Sequence, residues 1–527
     1  MSFYDEIIDL ILSDKIHTKK ELHNTKIKLC KKYNIQNIPP DSKIIAHLPS
    51  ELSNDEFVYS LLKKKPMRTI SGVAIVAVMT SPEVCPHGKC IPCPGGLDLN
   101  TPQSYTGYEP AAMRGSLNNF DPYSQVKSRT EQLEAIGHPT DKIDLIIMGG
   151  TFTSRTTYYQ NWFVKRCFDA LNKSDSPTLE SAKKKNEKAS QRCIGLTVET
   201  RPDWFRLQHA DNVLSLGSTR VELGVQSSFD DILYKMGRGH TVKDTIYATR
   251  IAKGSGFKVC YHLMPGLPGS DEVKDLKSFK LIFENPDFKP DMIKIYPVLV
   301  IQGTELFEMW KSGEYKPLDS LSAAKLIASI KEYVPQWVRI QRIQRDVPAQ
   351  LISSGVSKSN LRQIVLKMME SHGKSCRCIR CREIGHKYLQ KEIDINNLDL
   401  VFSRINYEAS GDLEVFLSIE DKEKDIIVGY LRLRDITLSH RYELQKRPCM
   451  IIRELKILGK ELPIGKKADI ALQHKGLGKE LVNEAERICF EEFDKKRIFV
   501  LSGVGVKNYY RRLDYIDDGV YLKKDLK

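Results

Sequence analysis

The sequence predicts an α/β protein in two parts, a partial parallel (β/α) barrel followed by a smaller α+β domain. Three observations carry this. From residue 72, short β-rich runs alternate with helical stretches, the texture of βαβ units. The apolar residues of those runs are nearly continuous, as in strands covered on both faces. After about residue 398 strand follows strand across charged turns, the mark of an antiparallel sheet.

The barrel runs are GVAIVAVM (72–79), DLIIMGG (144–150), CIGLTVET (193–200), TRVELGVQ (219–226), FKVCYHLMPG (257–266), MIKIYPVL (292–299) and WVRIQRI (337–343). YYQNWFVKRCFDALN and VKDTIYATRIAKG between them have helical periodicity. Gly149-Gly150-Thr151, Glu199-Thr200-Arg201, Gln226-Ser227 and Pro265-Gly266 close four of the strands, at the end where parallel barrels carry their chemistry. The second part reads as LVFSRINYE, LEVFLSIED, DIIVGYLRLRDI and IIRELKILG, then a QHKGLG turn and an amphipathic helix (479–492). The strand RIFVLSG and a short final helix and strand complete it. The expected boundaries are a basic helical region at 1–67, interrupted by Pro39-Pro40, the barrel at 68–345, a basic Cys-rich bridge at 346–397 and the second domain at 398–527.

With 41% hydrophobic and 28% charged residues and no low-complexity tract, the composition is that of a folded soluble protein. No apolar run spans a bilayer, and the first twenty residues read as an amphipathic helix rather than a signal peptide, so the cytosol is the expected compartment. A net charge of +14 points to a polyanionic partner. It is concentrated twice: seven lysines against Glu21 between Lys15 and Lys32, and seven basic residues against Glu370 between Lys358 and Arg382. A solvated helix face explains such runs equally well, so charge alone does not identify nucleic acid.

Six of the twelve cysteines fall into two tight clusters, which in a reducing compartment hold metal. Cys85, Cys90 and Cys93 lie in CPHGKCIPCPGG, directly after the first barrel strand. Three thiolates on one loop can ligate three irons of a 4Fe–4S cluster and leave the fourth open. The rival is a structural zinc with His87 as fourth ligand, less favoured because no partner knuckle lies nearby. Cys376, Cys378 and Cys381 form CRCIRC in the bridge and suit a structural zinc, with His372, His386 or a distant cysteine as the fourth ligand. In the second domain, Gln473, Gly476, Leu477 and Gly478 form a turn opening a helix, where backbone amides can approach a pyrophosphate.

CPHGKCIPCPGG, QSYTGYEPAAMRG, MGGTF, ETRPD, GVQS and MPGLPG together resemble the catalytic subunit of Elongator, in its archaeal and bacterial stand-alone form. The resemblance implies a barrel of radical S-adenosylmethionine type followed by a Gcn5-related acetyltransferase domain. Cys85, Cys90 and Cys93 would hold a 4Fe–4S cluster that chelates S-adenosylmethionine, with Gly149, Gly150, Thr151, Glu199 and Gln226 around the cofactor. Glu454, Leu455, Lys456 and Ile457 would pair with the pantetheine of acetyl-CoA, reached by Lys142 from the barrel side. Tyr509 or Tyr510 would serve as acid near the CoA sulfur. The implied reaction carboxymethylates C5 of the wobble uridine in a tRNA anticodon stem–loop, with an electron donor, and with a second copy or Elongator-like accessory subunits left open. A protein lysine acetyltransferase with a structural barrel is the alternative.

Overall fold

The computed structural model describes residues 2–49, 52, 55–64, 69, 72–389, 397–459 and 476–527. Seven strands, β1 (Ala74–Met79), β2 (Lys142–Met148), β3 (Arg192–Thr200), β4 (Arg220–Gln226), β5 (Lys258–Leu263), β6 (Met292–Ile295) and β7 (Arg339–Ile343), form one wholly parallel sheet in sequence order. β1 and β7 do not pair with each other, so the barrel is open along one flank. Burial alternates along β2: Ile143, Leu145 and Ile147 are sealed against the helices, while Asp144, Ile146 and Met148 keep partial access from within. The interior is therefore partly a lined hollow and not a filled core.

Two helices, α1 (Phe3–Leu12) and α2 (Lys19–Lys32), begin an N-terminal unit with its own apolar cluster around Phe3, Ile7, Leu22 and Leu29. Both start at reciprocal capping boxes, Ser2 with Asp5 and Thr18 with Glu21. The chain then runs to β1, whose free edge is flanked by α3 (Pro110–Leu117) and α4 (Pro122–Ala135). The N-terminal unit is tied to the end of α4: the Lys64 amide donates to Ile136 O at 3.3 Å, and His138 Nε2 lies 2.8 Å from Lys64 O.

The bridge is bound to the barrel rather than free of it. Ile352–Gly355 pairs antiparallel with Leu299–Ile301, and α5 (Leu361–Ser371) places Leu361, Val365 and Met369 in the barrel core. Beyond it a second sheet runs in the order β8-β9-β10-β11-β12-β14-β13, made of β8 (Val401–Ala409), β9 (Asp412–Asp421), β10 (Ile426–Ile436), β11 (Cys449–Ile457), β12 (Arg497–Val500), β13 (Ile516–Asp518) and β14 (Tyr521–Asp525). β12 runs parallel to β11, but only Met450, Ile451 and Ile452 are paired before the strands part. Helix α6 (Leu477–Arg487) buries Leu481, Val482 and Ala485 on this sheet.

This C-terminal domain sits on the N-terminal ends of the barrel strands. Arg453 of β11 donates to Phe257 O and to both carboxylate oxygens of Asp291, residues that precede β5 and β6. Arg432 reaches Trp337 O, ahead of β7, at 2.7 Å. A β-carbon on Gly503 would stand 2.0 Å from Ile194 O on β3, so backbone meets backbone there.

Candidate active sites at the two ends of the barrel

At the C-terminal strand ends a cavity of about 690 Å³ is lined by all three thiols of the first cluster together with Gly150, Thr151, Glu199 and Gln226. The loop geometry needs its glycines. Gly149 and Gly150 have φ of 125° and 91°, and a β-carbon on Gly149 would lie 2.1 Å from Thr80 Oγ1. Gly150 faces Cys85, whose Sγ would be 4.0 Å from a β-carbon placed there. Gln226 holds a left-handed φ of 66° where β4 bulges, a conformation costly for a residue with a side chain.

Each sulfur has a polar neighbour. The Ser104 amide donates to Cys93 Sγ at 3.1 Å, Arg238 Nη1 approaches Cys90 Sγ at 3.7 Å, and Thr151 Oγ1 lies 3.7 Å from Cys85 Sγ. His87 Nε2 is 3.0 Å from Cys90 Sγ. Burial raises the thiols of Cys85 and Cys93 above their ordinary value.

Below the thiols the hollow contains a chain of charges. Tyr105 Oη donates to Glu199 at 3.0 Å, and Lys294 Nζ joins Glu199 (3.2 Å) to Glu222. Glu222 also holds His262 Nε2 at 2.7 Å and Arg220 at 3.5 Å, and Arg220 continues to Asp144 at 3.1 Å. Glu222, Cys260 and His262 converge closely enough for a metal ion, but the Lys294 ammonium already occupies the cation's place on Glu222.

At the opposite strand ends, Ile457, Gly478 and Tyr509 meet. A β-carbon on Gly478 would lie 3.0 Å from Tyr509 Oη and 3.7 Å from Ile457 Cγ1, so a side chain there would press on the phenol. Gly476 caps that helix at φ 90°, beside Leu477. Gln473 lies outside the described residues. Glu454, Leu455, Lys456 and Ile457 occupy the part of β11 beyond its contact with β12. Tyr430 and Arg432 hold the Glu454 carboxylate at 3.1 and 2.8 Å, and despite burial Arg432 and Lys258 keep it below its ordinary value. The two tyrosines separate: Tyr509 is half-buried at the corner, whereas Tyr510 lies in the core against Tyr515. Lys142 opens β2 opposite Arg192, whose β-carbon abuts Gly505. It therefore stands at the domain seam, a strand length away from the thiols.

In the bridge, the Sγ atoms of Cys376, Cys378 and Cys381 lie within 4.8 Å of one another. Buried Lys331 places Nζ 3.4 Å from Cys381 Sγ. His372 is exposed and turned to Met368 O at 2.7 Å, away from the thiols, and the side chain of His386 lies outside the described residues.

Family models match three segments: an ELP3 N-terminal domain at residues 1–70, the radical SAM superfamily at 82–281 and a radical SAM C-terminal domain at 290–371. Along its whole length the chain is 53% identical to the tRNA uridine(34) acetyltransferase of Methanocaldococcus jannaschii, covering 99% of this chain and 97% of that one. The chain belongs to the Elp3 family. Elongator complex protein 3 of Schizosaccharomyces pombe is 42% identical over 98% of this chain and 96% of its own. The solved structure of the N-terminally deleted archaeal Elp3 of Methanocaldococcus infernus matches with a TM-score of 0.77 at 50% identity, covering 87% of this chain and 100% of that one.

A radical SAM domain works with a 4Fe–4S cluster and S-adenosylmethionine, and the residues of this Elp3 chain suit both. Its thiols line one cavity with an amide and a guanidinium directed at sulfur, the contacts that tune such clusters. Sequence reading missed Arg238, Tyr105, Lys294 and the Glu222–His262 pair. Two of them carried a local signal: Tyr105 lies within QSYTGYEPAAMRG, and Arg238 stands between two glycines, Gly237 and Gly239. Among the described residues no helix is long and apolar enough to cross a membrane.

Proposed function

We propose that this chain carboxymethylates C5 of the wobble uridine of tRNA, using acetyl-CoA as carbon donor. The observation that carries it is the pairing of two sites on one scaffold: three thiols at one end of the barrel, and the Ile457–Gly478–Tyr509 corner on a parted strand at the other. The names of its relatives, tRNA uridine(34) acetyltransferase and Elongator complex protein 3, agree with it.

Cys85, Cys90 and Cys93 would hold the cluster. In support, they do not form a single-ion group with His87, whereas the bridge thiols do converge on one point. When bound, cluster and S-adenosylmethionine supply one-electron chemistry able to take hydrogen from an unactivated methyl group. Gly149, Gly150 and Thr151 offer a backbone edge to the methionine end, and Glu199 and Gln226 border the same space. The buried Gln226 Oε1 has no partner within the protein and is free for a ligand donor.

Acetyl-CoA would lie along Glu454–Ile457, with its pyrophosphate at the Gly476–Gly478 turn and Lys142 facing it across the seam. Burial raises the Tyr509 phenol, so it stays protonated at neutral pH and can donate to the departing thiolate. Hydrolysis of the thioester breaks C–S, adds water oxygen to the carbonyl and releases the thiol of CoA. Tyr510 is a packing residue in this reading. Cys376, Cys378 and Cys381 would bind zinc, with the Lys331 ammonium offsetting thiolate charge.

Nucleoside mass analysis of tRNA incubated anaerobically with the reconstituted protein, acetyl-CoA, S-adenosylmethionine and reductant tests the reading. Carboxymethyluridine or a close relative is expected, together with about four irons per chain. A Cys85/Cys90/Cys93 triple alanine should lose both. Acetyl-lysine on a protein substrate without S-adenosylmethionine dependence would replace this function with the other acetyltransferase reading.

A further inference from the structure

The cavity does not end at the thiols. It continues down the barrel flank through the gap between β1 and β7, the two strands with no outer neighbour. Such bare edges need donors for their outward carbonyls. On β1, Gln125 meets both backbone groups of Met79 at 2.8 and 2.9 Å, and Arg114 donates to Ala77 O at 2.6 Å. On β7, the Ile379 amide meets Val338 O at 3.0 Å, and Arg362 reaches Ile340 O at 3.3 Å. Gln125 shows that a neutral side chain suffices at such an edge. The two guanidiniums bring charge the strands do not require.

That charge has no carboxylate within ion-pair distance. The cavity's acids each face a cation: Glu109 with Arg345 (3.9 Å), Glu199 with Lys294 (3.2 Å) and Asp346 with Arg342 (2.8 Å). Arg114, Arg362 and Arg380 line the same space, and among the described residues none forms an ion pair with a carboxylate, although Arg362 lies near the bridge thiols and Arg380 near Glu383. The Arg114 Nε is buried without an acceptor. Burial, with Arg129 close by, pulls Arg114 down to about 10. A half-buried guanidinium without a bonded counterion, as at Arg114, is costly until an anion completes the site.

The structure favours RNA as the source of that anion. A nucleotide whose base reaches the thiol end carries its own phosphodiesters, and they trail through whatever opening admits it. The basic N-terminal unit is fastened to the end of α4, beside the same gap, where Leu133 lines the cavity. The CoA phosphates have a separate candidate seat at Gly476–Gly478 on the other domain. We propose that the gap between β1 and β7 is an RNA port, in which Arg114, Arg362 and Arg380 hold the phosphodiesters flanking the target uridine. This rests on the tRNA reading above and specifies where the strand enters.

Arg114→Gln/Arg362→Gln retains donors for both strand edges and removes two charges. Binding of a labelled anticodon stem–loop with an unmodified wobble uridine is measured across a salt series. The slope of log affinity against log salt should become shallower by about 1.4, at ~0.7 per single-strand phosphate contact. Arg114→Lys/Arg362→Lys should retain the wild-type slope. Arg380→Gln, which severs no hydrogen bond or ion pair among the described residues, should remove about 0.7 by itself and keeps the test sound if the double variant misfolds. Unchanged slopes overturn the port while leaving the function intact, as does unaltered RNA binding with a lost affinity for desulfo-CoA. Wild-type protein that binds no stem–loop overturns the function and the port together.

Discussion

Tyr509 and Tyr510 are adjacent, yet the fold gives them different work. The Tyr509 hydroxyl meets the start of α6 at Gly478, while the Tyr510 ring stands edge-on to Tyr509 and Tyr515 inside the core. Tyr509→Phe should lower tRNA-dependent acetyl-CoA hydrolysis by about ten- to a thousandfold, the usual worth of a positioned proton donor, without changing thermal stability. Tyr510→Phe should leave hydrolysis near wild type, and Tyr510→Ala should cost about 3–5 kcal/mol of stability. Steady-state CoA release and thermal melts check all three. The different surroundings of the two tyrosines were not legible in NYYRR, because a five-residue helix gives no clear inner face. The thiols and Gly476–Gly478 were legible because each site is contiguous in the chain. Glu222, His262 and Lys294 were not, because the barrel ladder alone brings three separate strands into contact.

Among the elements, all seven barrel strands stand where apolar runs bounded by glycine or polar residues placed them. The pairing of Leu299–Ile301 with Ile352–Gly355 escaped notice, since runs this short have no readable period. Charge was the weaker guide. Of the seven lysines from Lys15 to Lys32, Lys26 is buried on Asp41, Lys32 pairs with Glu6, and Lys19 bonds Lys63 O. The set on α2 available to an RNA is thus narrower, with Lys20, Lys28 and Lys31 exposed. Replacing these three with Glu should weaken tRNA binding about tenfold or more at physiological salt and flatten its salt dependence. Lys19→Gln should have little effect. Filter binding at several salt concentrations separates the two outcomes. The basic bridge divides likewise: Arg382 is held by Glu420 and Asp425 and Lys374 by Glu332, leaving Arg362 and Arg380 to the cavity.

At the scale of the whole molecule, a buried charge cluster locks the domains. Arg453, fully enclosed, pairs with Asp291 of the barrel at 2.6 Å and Glu414 of the C-terminal sheet at 2.9 Å, and Lys253 lies 3.4 Å from both acids. Removing one member of such a set strands its partners. Arg453→Met should therefore destabilise the protein by about 3–5 kcal/mol and expose the seam to hydrogen exchange at residues 194 and 257–259 before either sheet opens. Unchanged exchange there would mean that the apolar contacts shared by the two domains suffice.

The seam also fixes a distance. The thiols crown one end of the parallel strands and the Tyr509 corner lies beneath the other, and seven residues of β2 span about 23 Å. Under the proposed function, capture of the carbon donor and its activation would thereby be separated in space. Delivery would then be a step with its own rate, and radical chemistry begun before the carbon arrived would have only solvent and protein to attack. On that reading, a catalyst of this shape would gain from acting only once its RNA is bound.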